Sequence, residues 1–312
     1  MRVLIAGAGV IGQGWAIRFA LFGWDVLIYD QDSDAGRCCA AQIERVRAHV
    51  QALYPNLPST GQVAQVDDPN QQVDWVQESL PEELAIKQAF FASLVMDPDV
   101  PICSSTSGFK PSVLMSESAL AEQFLVCHPF NPVYLLPLVE VVPHQAVAAD
   151  SVAKVRQTLV DIGMKPLLVK REIDAHIADR LLEAVWREAL WLVEDDVATT
   201  EDIDAAIKFG FGLRWAQMGL FEIYRLAGGE GGMAHFLAQF GPALQWPWSR
   251  LTDVPDLDQA LIDKIASQSD AQSGHLTIEE LTTQRDQNLV AIMQALTTTE
   301  SDLGKYLERY KN

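Results

Sequence analysis

The sequence predicts an α/β protein in two parts, a doubly wound sheet domain over residues 1–173 followed by an all-helical domain over residues 174–312. Three observations carry this. A glycine-rich turn joins an apolar strand run to a helix at the very N-terminus. Strand-like runs then alternate with helical patterns as far as Val169. From Ile177 onward strand-like runs stop, helical patterns dominate, and five of the eight tryptophans gather.

In chain order, Arg2-Val3-Leu4-Ile5-Ala6 is a short strand and residues 11–23 a helix, with Ile11, Trp15, Phe19 and Phe22 at helical spacing and Gly23 as its stop. Residues 25–29 form the second strand, ending on Asp30. A helix over 34–53 and a Pro/Gly-broken loop at 55–61 follow. Asp74–Glu78 and Pro101–Ser104 are strand ends, with a helix at 81–95 between them. Phe124–Cys127 and Leu138–Val142 are further strands, then a helix at 150–162 and a last strand at 165–169. The helical part reads as segments 175–195, 200–208, 219–227, 231–240, 256–269 and 276–297, with the domain boundary near residue 173.

Charge narrows the partners. With 42 acidic against 23 basic residues the net charge is −19, which argues against nucleic acid or anionic lipid and leaves room for a cationic substrate. Apolar stretches are interrupted too soon to span a membrane, and the N-terminus lacks the features of a signal peptide. The four cysteines, Cys38, Cys39, Cys103 and Cys127, show no metal-ligand spacing, so a reduced cytoplasmic protein without structural zinc is expected.

Gly7-x-Gly9-x-x-Gly12 has the spacing of a Rossmann dinucleotide fingerprint. The first glycine allows the tight turn and the second a close approach of the backbone to the pyrophosphate. The third lets helix and strand pack closely. Asp30 follows at a strand end, 18 residues after Gly12, where its carboxylate can accept hydrogen bonds from both ribose hydroxyls. Gln31, Asp32, Ser33 and Asp34 offer no arginine for a 2′-phosphate, so NAD is expected in preference to NADP. Val10 and Ile11 inside the turn, and Ser105 at a later strand end, complete the expected cofactor contacts.

The chemistry is expected at the same sheet edge. Ser104-Ser105-Thr106-Ser107-Gly108 ends a strand, His128-Pro129-Phe130-Asn131-Pro132 follows 21 residues after Ser107, and Glu140 lies 12 beyond His128. A histidine oriented by a carboxylate suits removal of an alcohol proton, and a serine hydroxyl can hold the substrate oxygen.

These residues resemble the 3-hydroxyacyl-CoA dehydrogenase superfamily, along essentially the whole chain. Ser107, His128 and Glu140 match the serine, histidine and glutamate of that family's active site, and Asn131 follows the histidine as in the family. The resemblance also implies that Glu78 and Lys87 lie near the nicotinamide ribose, and that the helical domain pairs with a second copy as a homodimer. One position departs: Ile177-Ala178-Asp179-Arg180-Leu181 places Asp179 where the family has a substrate-contacting asparagine.

An anion there is unhelpful to an acyl thioester. Between Asp30 and Glu83 the basic residues are Arg37, Arg45 and Arg47 alone, few for the phosphates of CoA. A smaller hydroxy acid is therefore expected. The strings around His128 and Asp179, with Gly212–Ala216, Tyr224–Glu230 and Trp246-Pro247-Trp248, resemble family members whose substrate carries both a quaternary ammonium and a carboxylate. Such a cation is held by aromatic faces and nearby negative charge. Trp186, Trp191, Phe211, Trp215, Phe221 and Tyr224 are candidates for the faces, Asp179 for the charge and Arg214 for the substrate carboxylate. Open alternatives are a sugar acid such as gulonate, a hydroxyacyl-CoA, or a non-catalytic NAD-binding crystallin-like role.

Overall fold

The computed structural model describes all residues except 117, 217, 241, 243–248, 250–255, 257, 274, 299–301 and 311–312. The expected contribution of Trp246-Pro247-Trp248 thus lies outside the described residues. Two compact units form, one from Met1–Asp179 with Tyr306–Asn312 and the other from Arg180–Lys305.

The first unit is built on eight strands: β1 (Arg2–Ala6), β2 (Asp25–Tyr29), β3 (Val63–Gln65), β4 (Trp75–Glu78), β5 (Ile102–Ser104), β6 (Phe124–Pro129), β7 (Leu138–Pro143) and β8 (Lys165–Leu168). Their spatial order is β3-β2-β1-β4-β5-β6-β7-β8. All neighbours are parallel except β6 and β7, which run antiparallel with His128 directly opposite Glu140. The order reverses between β1 and β4, and ligands of doubly wound sheets bind at that switch point. The residue pattern shows no strand at Val63–Gln65. This edge strand is only three residues long, too short for a period of two to register.

Helices α1 (Val10–Leu21), α2 (Ala35–Leu53), α3 (Leu84–Ser93), α4 (Pro111–Leu114) and α5 (Ala149–Asp161) belong to this unit. α1 is nearly encased: Trp15 and Phe19 are fully buried, and the Phe19 ring sits 5.8 Å from that of Trp75 on β4. Phe90, Phe91 and Leu94 pack with Leu4, Val76, Ile102, Phe124 and Val126 in a second cluster. Burying each such large apolar side chain contributes about 1.5–3 kcal/mol. α3 begins at Leu84 rather than residue 81 because Pro81 opens a tight turn, with Glu83 N–H donating to Pro81 O at 2.7 Å.

The second unit is helical: α6 (Ala178–Glu194), α7 (Thr200–Ala206), α8 (Gly212–Trp215), α9 (Leu220–Ala227), α10 (Gly232–Phe240), α11 (Gln259–Ser273) and α12 (Ile278–Thr297). A further short helix, α13 (Asp302–Glu308), precedes the C-terminus. Local rules start these helices. Thr199 and Asp202 form a capping box at α7, as Thr277 and Glu280 do at α12. Lys264 on α11 donates to Val193 O and to Asp196 Oδ1, both at 2.6 Å, tying that helix to the end of α6. α6 starts at Ala178, later than the expected 175, because Ala175 and His176 adopt left-handed backbone with φ of 57° and 50°. Among the described residues no helix is long and apolar enough to cross a membrane.

Candidate active site

The turn from β1 into α1 divides the three glycines by role. Gly7 has φ +87°, and a Cβ there would meet Ser79 O at 2.6 Å. A Cβ on Gly12 would lie 1.8 Å from Gly7 O, so only hydrogen fits between turn and helix. A Cβ on Gly9 would meet nothing within 4 Å, so its backbone edge faces open space. Gly9 is also the N-cap of α1 and offers no side-chain cap, leaving the first amides of the helix for an anion.

That space is a cavity of about 950 Å³ lined by Gly7, Gly9, Val10, Ile11, Asp30 and Leu80, with Tyr29, Ile86 and Phe90 as apolar walls. Asp30 stands at its edge. One carboxylate oxygen accepts from Ala8 N–H at 2.6 Å and the other from Asp32 N–H at 2.8 Å, which fixes the group at the end of β2. Arg37, the nearest cation in sequence, is drawn to Asp34 at 3.0 Å. An uncapped helix terminus facing an open glycine edge, with a carboxylate at the far end, fits a dinucleotide with unmodified ribose hydroxyls. Asp30→Ala should weaken NADH binding about tenfold or more, through loss of charged hydrogen bonds worth roughly 1.5–3 kcal/mol. It should weaken NADPH binding less; fluorescence titration of both cofactors checks this.

A smaller cavity of about 290 Å³ is lined by Ile11, Glu82, Lys87, Ser105, Ser107 and His128. His128, at the end of β6, is buried, and its Nδ1 lies 3.0 Å from Glu140 Oε2 on β7. The antiparallel register alone sets these residues opposite each other. The second oxygen of Glu140 accepts from the backbone N–H of Ile177 at 2.9 Å and Ala178 at 3.1 Å. Burial works to raise the Glu140 carboxyl, but the hydrogen bonds from His128, Ile177 and Ala178 outweigh it and hold the group below the ordinary glutamate value. With Nδ1 committed to a carboxylate, Nε2 is the nitrogen available for proton transfer. Asp179 Oδ2 lies 3.5 Å from that Nε2.

Because its folded value is depressed, Glu140 contributes stability that is full above about pH 4.3 and lost as the pH falls through the folded value. The melting-temperature advantage of the native chain over Glu140→Gln should therefore shrink on acidification below about pH 4. Thermal melts across pH check it.

The sequence-assigned residues are not all placed alike. Ser105 lines the small cavity, yet its hydroxyl also accepts from Trp15 Nε1 at 3.1 Å and Gln77 Nε2 at 2.8 Å. Asn131 is exposed on the loop after β6 and lines neither of these two cavities. Glu78 is wholly buried and lines neither: its carboxylate is taken up by Lys87 at 2.7 Å, Leu80 N–H at 2.6 Å and the Ser104 hydroxyl. Burial pushes the Glu78 carboxyl up despite the neighbouring Lys87.

Glu82 occupies the position facing the cavity instead, 3.2 Å from Lys87 and hydrogen-bonded by Thr106 and Gly108 N–H. Burial would raise it, but those hydrogen bonds and the Lys87 charge hold it low. Its signal in the sequence is proximity, as a second acid four residues beyond Glu78 in the same string. Arg214, Trp215, Phe221 and Tyr224 belong to the helical unit. Trp215 lies 4.6 Å from Phe211 edge-on, Tyr224 stacks on Phe236 at 4.5 Å, and Phe221 is 76% exposed, so its ring is open to a ligand or partner.

Comparison with known proteins finds matches to both parts of the chain. Residues 2–173 match the 3-hydroxyacyl-CoA dehydrogenase NAD binding domain, and residues 176–264 match the C-terminal domain of the same family. The chain is 51% identical over 312 residues to an L-carnitine dehydrogenase/betainyl-CoA thioesterase of Ruegeria pomeroyi, covering 98% of this chain and 64% of that protein. It therefore spans less than two thirds of that bifunctional relative. It is 46% identical to an L-carnitine dehydrogenase of Pseudomonas aeruginosa, covering 96% of this chain and 94% of the relative. A solved structure of an NAD+-dependent 5-formyl-3-hydroxy-2-methylpyridine 4-carboxylic acid 5-dehydrogenase superposes with a TM-score of 0.79 at 28% identity, covering 96% of this chain and 99% of that one. With both domain profiles matched in order, a Rossmann NAD-binding unit followed by a helical one, this chain belongs to the 3-hydroxyacyl-CoA dehydrogenase family.

Proposed function

We propose that this protein oxidises the 3-hydroxyl of L-carnitine to 3-dehydrocarnitine, with NAD+ as acceptor. The observation that carries the reading is the His128–Glu140 pair on a small cavity, with the Asp179 carboxylate beside the reactive nitrogen of His128. NAD+ bound in the larger cavity supplies the hydride acceptor. His128 Nε2 removes the hydroxyl proton as C3 gives up its hydride, and the electron pair of the O–H bond becomes the second bond of the ketone. Glu140 stabilises the imidazolium formed, and its own position is held by the Ile177 and Ala178 amides. Ser107, half-buried on the same cavity, holds the substrate oxygen.

Asp179 supplies the negative charge that a trimethylammonium group requires, since that group cannot donate a hydrogen bond. The relatives named L-carnitine dehydrogenase support this choice over a CoA thioester. Asp179→Asn should raise the KM for L-carnitine about tenfold, ~1.4 kcal/mol of lost charge attraction, with a smaller effect on kcat. A panel of L-carnitine, gulonate and 3-hydroxybutyryl-CoA assayed on native chain and variant tests the assignment. A loss on the variant equal for all three substrates would contradict a role in binding the cation.

A homodimer is part of the same proposal. In the helical unit Leu181, Leu182, Trp186, Phe209 and Leu213 are each more than half exposed, and a second copy would bury them. Sedimentation of a single monomeric species at micromolar concentration would contradict it.

A further inference from the structure

A second histidine sits behind the first. His176 is fully buried, and its ring centroid lies 5.5 Å from that of His128. Its Nε2 is 3.2 Å from Thr106 O, and a carbonyl can only accept, so Nε2 carries the hydrogen. Nδ1 is then a bare acceptor, buried without a partner among the described residues. Burial lowers its tendency to protonate, with the nearby His128 acting the same way and Thr106 O, Glu140 and Asp179 acting against it.

The backbone around His176 is as specific as its side chain. Ala175 and His176 both take left-handed φ, 57° and 50°, a conformation non-glycine residues adopt at a cost. The turn they make presents the consecutive amides of Ile177 and Ala178 to Glu140 Oε1. Thr106, held by the ring, immediately precedes Ser107 and also hydrogen-bonds Glu82. One buried side chain thus joins the loop of the substrate-holding serine to the turn that orients the partner of the base.

We propose that His176 is a positioning residue: its Nε2–H to Thr106 O locks the Ser107 loop to the 175–178 turn, fixing Ser107 relative to the Glu140–His128 pair. This rests on the reading of Ser107, His128 and Glu140 given above. A side chain that keeps volume but no donor frees the loop, and small misplacements at a reacting centre cost up to about 10²-fold in rate. A glutamine retains a neutral donor near the position of Nε2, whereas asparagine is too short to reach.

The test is steady-state kinetics with L-carnitine and NAD+ on His176→Phe, His176→Gln and His176→Asn, beside His128→Ala and NADH titration of each. The expected result is kcat lowered 10- to 100-fold in the Phe and Asn variants. KM for NAD+ and NADH affinity should stay within about twofold, and Gln should restore kcat to within about threefold of the native chain. Native kcat in His176→Phe, with His128→Ala inactive, overturns the positioning role alone. Should the Phe variant fail to bind NADH, equal kcat in the Gln and Asn variants overturns it. Native turnover in His128→Ala removes the reading on which it rests, and the positioning role with it.

Discussion

Replacing His128 with alanine should lower kcat for L-carnitine oxidation by about 10³-fold while NADH binds within about twofold of the native affinity. The size of the loss follows from what the side chain does. Its Nδ1 is committed to Glu140 at 3.0 Å, so Nε2 is the basic atom presented to the small cavity. Water replacing the imidazole has neither its basicity nor its fixed direction. Cofactor affinity is spared because His128 lines the small cavity and is not among the residues lining the larger one, where the glycine turn and Asp30 lie. Stopped turnover with intact NADH fluorescence enhancement is the signature. A variant that lost both would place His128 in the fold rather than in the chemistry.

The second large effect is expected at Gly12. An alanine methyl there would stand 1.8 Å from Gly7 O, a backbone atom that cannot swing aside, so the whole turn must move. Overpacking of this kind costs about 1–3 kcal/mol or more. It also misaligns the helix N-terminus from the phosphates it should receive, so NADH affinity should fall by more than about 100-fold and the melting temperature should drop. Gly9→Ala is the control. No atom lies within 4 Å of its Cβ position, so the fold should stay as stable while the methyl intrudes on the cofactor space. NADH affinity should then fall without a fall in melting temperature. Thermal melts and NADH titration on the two variants separate steric damage to the turn from obstruction of the ligand.

The dinucleotide half was legible because its chemistry is written in backbone requirements. Gly7 and Gly12 are positions where a Cβ would collide with backbone of the turn or of Ser79, while Gly9 leaves an open backbone edge of the kind a pyrophosphate approaches. His128 and Glu140 are paired in the sequence by the need of a catalytic histidine for a carboxylate and by the family resemblance, and the structure adds the antiparallel register that aligns them. Glu78 illustrates the limit. It sits in the same string as Glu82, and only the path of the chain after β4 decides that one carboxylate goes under the sheet edge and the other toward the cavity.

His176 was not legible at all. A lone histidine carries no pattern, and its left-handed turn is made by alanine and histidine rather than by the glycine that would have announced it. The same turn shifts the start of α6 to Ala178. The return of residues from Tyr306 onward to the first unit has no periodic signal either. It depends on individual contacts, such as the Tyr310 hydroxyl donating to Val160 O at 2.7 Å. Helix existence in the second unit follows from apolar spacing and capping boxes, but which apolar faces remain exposed there is a matter of packing.

The function itself is decided by adding L-carnitine and NAD+ to the native protein and following NADH. The expected result is sustained NADH formation with a kcat/KM for L-carnitine at least about 100-fold above that for gulonate or 3-hydroxybutyryl-CoA, and a kcat about 10³-fold lower from the His128→Ala variant. No NADH from L-carnitine, or faster turnover of the CoA thioester, would contradict the assignment of Asp179 and His128 to a cationic hydroxy acid.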